Sequence, residues 1–206
     1  MATQNSLGAR PVLIAAIACV LLGAFAHVVN PFLEYHREAL EGLQLWRLLT
    51  AHAAHLGLTH GVLNGAALVL VWLIGRDSTS PREWAWLLLG SVAAVDAGLY
   101  WLSPDVGWYV GASGALHGLL GGVAVLMLDR GARAYGITLL LALAAKLVWE
   151  QVSGGTMTTA ALGDAPVVTV AHLYGAIGGL TAALVLCVAA RRRHAPAADG
   201  DMRRNS

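Results

Sequence analysis

The sequence predicts an all-α polytopic membrane protein, a bundle of six transmembrane helices. Composition is the first reason. The 206 residues are 57% hydrophobic and only 12% charged, about half the charge of an ordinary soluble domain. Mean hydropathy is +0.64. The second reason is segmentation: six apolar stretches each approach the ~20 residues that cross a bilayer as helix. The third is the arginine distribution, which alternates with those stretches in the way a multi-pass topology requires.

The six stretches run roughly Pro11–Asn30, Leu58–Gly75, Trp84–Leu102, Gly111–Leu128, Ala134–Val152 and Val167–Ala190. The first is too long for a signal-peptide core and five more follow it, so it reads as a retained span. Residues 1–10 form a short N-terminal segment, 11–190 the six-span domain, and 191–206 a basic tail of disordered composition. Six crossings put Arg10, Arg76, Arg82, Arg130, Arg133, Arg191, Arg192, Arg193, Arg203 and Arg204 in one compartment. Arg37 and Arg47 face the other, and Lys146 lies inside a span. The positive-inside rule then makes both termini cytoplasmic. The loops Pro31–Gly57, Ser103–Val110 and Ser153–Pro166 face outward. In the first, Leu40, Leu43 and Trp46 recur at i, i+3 and i+6, which predicts one helix lying in the interface, anchored by Tyr35 and Trp46. The third is Gly/Thr-rich and is expected to be mobile. The net charge of +1 gives no electrostatic basis for binding nucleic acid. Cys19 and Cys187 sit in apolar segments and read as small buried thiols.

Strongly polar groups at membrane depth mark functional sites by default. Here they are His60, Asn64, Asp96, Ser113, His117, Lys146, Glu150 and His172. Spans two, four and six all run from outside to inside. His60 and Asn64, at i and i+4, share one face of span two. Ser113 lies in the first turns of span four, and His172 about five residues into span six. At ~1.5 Å per residue, all four fall within the outer ~5–15 Å of the bilayer. A serine becomes a nucleophile when a histidine takes its proton, and acyl transfer needs donors for the oxyanion. His60, Asn64 and the Ser113 N–H can supply these. The two side chains must approach to ~3 Å, so spans four and six must pack closely. Gly114, Gly118 and Gly122 on span four, with Gly175 and Gly179 on span six, are small-xxx-small faces that allow it. Lys146 and Glu150, at i and i+4, read as an internal ion pair. Asp96 has no identifiable partner, and His52 and His55 read as interface or loop-ordering residues. No HExxH spacing and no paired histidine ladder occur, so no metal or other cofactor is expected.

Three motifs carry a family resemblance. "WRLLTAHAAHLGLTHGVLN" (with Trp46, Arg47, His55, His60 and Asn64), "GASG" around Ser113, and "AHLYGAIGG" (with His172, Gly175 and Gly179) resemble, in order, those of the rhomboid intramembrane serine proteases. The likeness runs from Trp46 to about Gly179. It implies Ser113 as nucleophile, His172 as base, and His60, Asn64 and the Ser113 N–H as the oxyanion hole. Gly111, Gly114, His117, Gly175 and Gly179 support them. It also implies that the Ser153–Pro166 loop caps the site beside a substrate gate at span five. Two positions depart from the pattern. His117 stands where many rhomboids have a tyrosine packed on the catalytic histidine, and either stacks on His172 in the same way or is a proton-active neighbour; Ala51 stands at another family histidine position.

The short six-span body and "GASGALHG" are similar to the rhombosortase branch. That likeness implies a bacterial inner-membrane endopeptidase whose site opens to the periplasm. Its substrates would be exported single-span proteins with a C-terminal Gly/Ser-rich motif, hydrophobic tail and basic end, and its surroundings membrane lipid. Two rival readings remain open at this stage: a catalytically silent rhomboid-like protein that binds membrane helices, and a haem or metal protein using His60, His117 and His172.

Overall fold

The computed structural model describes residues 7–154 and 167–194. The chain folds as an all-α bundle. Helices α1 (Ala9–Ala24) and α2 (Ala26–Leu33) come first, then two short loop helices, α3 (Arg37–Glu41) and α4 (Arg47–Thr50). The long helices are α5 (Leu58–Gly75), α6 (Pro81–Ala97), α7 (Ser113–Asp129), α8 (Arg133–Ser153) and α9 (Val170–His194). Among the described residues, four helices are long and apolar enough to cross a membrane: α5, α6 with its continuation to Leu102, α8 and α9. The bent α1–α2 pair raises the count to five, and α7 is a shorter apolar helix. Their outward faces are apolar as lipid requires: Ile14, Leu141 and Val185 are each more than 60% exposed. Cys19 and Cys187 are free and buried, as expected.

The expected first span differs from the observed one. The chain bends by 104° between α1 and α2, so the straight crossing ends at Ala24. The outer loop holds the far end of α2. It supplies donors for the carbonyls at the C-terminal end of α2, which have no helical partners. Trp46 Nε1 donates to Phe32 (3.1 Å), Thr50 Oγ1 to Leu33 (2.7 Å), and the Arg47 guanidinium to Pro31 (2.7 Å) and Glu34 (2.8 Å). Arg47 is accordingly buried.

The single interfacial helix expected between Tyr35 and Leu49 does not form. The chain breaks at Leu43, whose φ is +65°, a conformation that a non-glycine residue seldom adopts. Leu40 is therefore buried at 5% exposure while Leu43 stands 78% exposed. Trp46 stays exposed, but Tyr35 is fully buried rather than at the interface. It pairs with Tyr109 in a two-stranded antiparallel ribbon of β1 (Tyr35–His36) and β2 (Trp108–Tyr109). Arg37 closes the other side by donating to the carbonyls of Leu99, Tyr100 and Ser103. Those carbonyls lie at or just beyond the one-turn π-helical end of α6, Gly98–Leu102.

At the opposite end of the bundle, α6 starts with Pro81 at its first position and a Ser80–Glu83 capping box. Arg130 reaches Glu83 and the Ser78 carbonyl, and Arg191 pairs with Asp129 at 2.6 Å. Helix α9 continues through Arg191 to His194, so the first residues of the expected tail are helical. Residues 195–206 lie outside the described residues, as does most of the expected cap.

The core is α7, which buries Gly114–Leu116, Gly118, Leu119, Gly121–Ala124, Leu126 and Met127. Its glycines interlock with those of α9. A Cβ on Gly175 would sit 1.9 Å from the Gly114 carbonyl oxygen, and one on Gly179 1.9 Å from that of Gly118. A second interlock joins α1 to α5: a Cβ on Gly61 would lie 2.3 Å from the Cys19 carbonyl oxygen. Such backbone contact is open only to glycine.

Candidate active site

Ser113 opens helix α7. Its N–H is one of the first-turn donors that a helix leaves unpaired, at the positive end of the helix dipole. His172 lies in the first turn of α9 and is buried. The Gly114–Gly175 interlock draws the two backbones together there, and Ser113 Oγ lies 2.8 Å from His172 Nε2. On the other side of the ring, His172 Nδ1 lies 2.9 Å from Glu150 Oε2. An ionised carboxylate only accepts, so Nδ1 donates. The lone pair is then on Nε2, facing the serine hydroxyl. The His117 ring stacks on His172 with centroids 4.2 Å apart and planes 12° apart. His117 Nδ1 is held at 2.6 Å from the Ser113 carbonyl oxygen.

His60 and Asn64 face the same spot from α5. The Leu56 N–H donates to His60 Nδ1 at 3.2 Å, which leaves the hydrogen of the neutral ring on Nε2. Both residues are buried, and Asn64 Nδ2 has no hydrogen-bond partner among the described residues. Gly111 shows where they point. A Cβ on it would lie 2.8 Å from His60 Cε1, 3.1 Å from His60 Nε2 and 3.7 Å from Asn64 Nδ2. Gly111 also has φ +122°, so glycine is required there twice over. Its N–H donates to the Ala51 carbonyl at 2.9 Å, and Tyr109 Oη donates to its carbonyl at 2.6 Å. The loop before Ser113 is thus pinned from both sides. His60, Ser113, Leu56, Trp108, Tyr109, Val110, Val167 and Val168 line one narrow cleft.

A rhomboid domain model matches residues 42–189. The chain belongs to the rhomboid family. A search of curated proteins finds no match. Rhomboids are intramembrane proteases that act on membrane proteins, and several apolar helices make this rhomboid a multi-pass membrane protein.

The structure brings together all four polar residues that the topology put in one slab, and adds three findings. Asp96 gains a partner: His52 Nε2 lies 3.2 Å from its Oδ1, and His52 also packs edge-on against Tyr109. His52 and His55 are both buried rather than at the interface. Burial pushes the His55 imidazole down to about 4, so a neutral ring packs edge-on against His60 at 5.2 Å. The third finding is Glu150. Its ion pair with Lys146 is present, but the same carboxylate also holds His172. The sequence signal was a carboxylate near the outer end of span five, at the depth of Ser113. Pairing it locally with Lys146 concealed the longer-range contact. His117, Glu150 and His172 also offer donor atoms that all lie within 4.8 Å of one another. A metal ion taking all three would compete for the lone pairs that join His172 to its neighbours.

Proposed function

We propose that this rhomboid is a serine endopeptidase with Ser113 as nucleophile and His172 as general base. One observation carries the reading: a buried histidine, with its lone pair directed by a carboxylate on the far nitrogen, lies 2.8 Å from a serine hydroxyl at a helix N-terminus. In the first step Ser113 Oγ bonds to the substrate carbonyl carbon as its proton passes to His172 Nε2. The oxyanion accepts from the Ser113 N–H, His60 Nε2–H and Asn64 Nδ2–H. The C–N bond then breaks, His172 returns the proton to the leaving amine, and water hydrolyses the acyl enzyme with the same histidine as base.

The substrates in this reading are exported single-span proteins with a C-terminal hydrophobic tail, as in the rhombosortase branch, to which the "GASGALHG" stretch is similar. The enzyme sits in a bacterial inner membrane with its site open to the periplasm.

The test is cleavage of a single-span substrate by purified protein, alongside labelling by a serine-directed fluorophosphonate. Ser113→Ala is expected to abolish both. Equal cleavage by wild type and Ser113→Ala, or a folded wild type that never labels, refutes the protease and leaves a protein that only binds membrane helices. Deleting the protein and mapping the C-termini of exported proteins identifies the substrates as those that keep their hydrophobic tails.

A further inference from the structure

We propose that Glu150 is a positioning residue that converts the Ser113–His172 pair into a three-membered Ser–His–Glu triad, and that Lys146 opposes it electrostatically. The proposal rests on the serine-protease reading above. It departs from a simple dyad, in which packing alone orients the base.

Glu150 is buried at 2% exposure although it stands in a membrane-spanning helix. A lone carboxylate there is strongly disfavoured, and its two oxygens are divided between two partners. Oε1 takes the Lys146 ammonium and Oε2 takes His172 Nδ1. If the Lys146 pair were its whole role, the side chain would extend outward with the half-exposed lysine side chain. Instead, the Glu150 and His172 side chains are each 3% exposed, whereas that of Lys146 is 48% exposed. The carboxylate therefore faces the site, and the lysine reaches in to neutralise it.

Two consequences follow for His172. Donation to Glu150 fixes the Nδ1–H tautomer, so Nε2 faces Ser113 as an acceptor. The negative charge also stabilises the imidazolium formed when the serine proton arrives. The Lys146 charge acts in the opposite sense on the same ring. The other ionisable groups near His172 among the described residues are His117 on α7 and His60 on α5. Both are histidines, so among the described residues Glu150 is the one carboxylate facing the ring.

The experiment measures kcat/KM against pH for wild type, Glu150→Gln and Lys146→Gln on a single-span substrate. Glu150→Gln is expected to lose about 10²- to 10⁴-fold, the scale of losing the orienting carboxylate of a serine-protease triad. Its acidic limb should move to lower pH, because the imidazolium loses a stabilising charge. Lys146→Gln should keep most of the rate, with its acidic limb moved to higher pH. Glu150→Asp should recover part of the loss. A residue that only holds the fold does not give limbs that move in opposite directions. An unshifted limb in both variants, or shifts of the same sign, overturns the proposal. If Glu150→Gln does not fold, the wild-type His172 tautomer still decides. Nitrogen-15 NMR of labelled imidazoles reads the His172 tautomer whether or not the protein cleaves. Loss of the Nδ1–H form in Glu150→Gln, in a protein that never labels with fluorophosphonate, refutes the protease and keeps the contact. A wild-type His172 protonated on Nε2 rather than Nδ1 overturns the contact itself.

Discussion

At the scale of single residues, the site contains histidines with opposite geometric roles. His60 presents an N–H toward the backbone next to Ser113, its other nitrogen being occupied by the Leu56 N–H. His117 presents a ring face to His172 and anchors itself on the Ser113 carbonyl. The first role needs a donor; the second needs a flat ring of similar size. His60→Ala and Asn64→Ala are each expected to lower kcat/KM by about 10²-fold, the effect of removing one oxyanion donor. His117→Phe is expected to keep most of the activity. Steady-state cleavage of one substrate by all three variants checks the contrast. A collapse in His117→Phe to the level of His60→Ala would mean that His117 takes part in the proton chemistry.

At the scale of elements, the distance from Ser113 to His172 is set by glycine, not by the two side chains. Their helices touch backbone to backbone at Gly114–Gly175 and Gly118–Gly179. A methyl at Gly179 has nowhere to go, because the atom 1.9 Å away is a main-chain oxygen. Gly179→Ala should therefore push α9 from α7 and destabilise the protein by about 1–3 kcal/mol, the range for overpacked sites. Activity should fall with it, although residue 179 lies two turns from His172. Thermal unfolding in detergent and fluorophosphonate labelling rate are the paired readouts. Loss of stability with an unchanged labelling rate would separate the packing from the site. By contrast, an added Cβ on Gly131 would meet no atom of the described residues within 4 Å, but its φ of +90° still favours glycine.

The same elements show what a sequence can disclose. Helices α5 to α9 were legible because bilayer length and hydropathy act locally along the chain. The glycine faces and the slab of polar residues were legible because helical periodicity and crossing direction convert position into depth. The outer loop was not. Its apolar spacing fitted a helix, but its fold is set by Arg47, Arg37 and Trp46 reaching carbonyls 13 to 66 positions away. No local pattern reports such bonds. Glu150 failed for a related reason: a local i, i+4 partner explained it sufficiently, and its second oxygen was free to serve a residue 22 positions away.

At the scale of the whole molecule, the two ends of the bundle are chemically different. One end carries Arg76, Arg82, Arg130, Arg133 and Arg191, with pairs such as Arg191–Asp129 tying helix ends together. The other carries the Ser113–His172 cleft beneath the outer loop. If the arginine end is cytoplasmic, as the positive-inside bias requires, water and exported substrates reach the cleft from the far side. Two exposed aspartates sample the two ends: Asp77 beside the start of α6, and Asp105 in the loop before β2. With Cys19 and Cys187 replaced by alanine, Asp105→Cys in intact spheroplasts should react with a membrane-impermeant maleimide. Asp77→Cys should react only after the membrane is opened. The reverse pattern would put the cleft on the cytoplasmic side, and exported proteins would then be excluded as substrates.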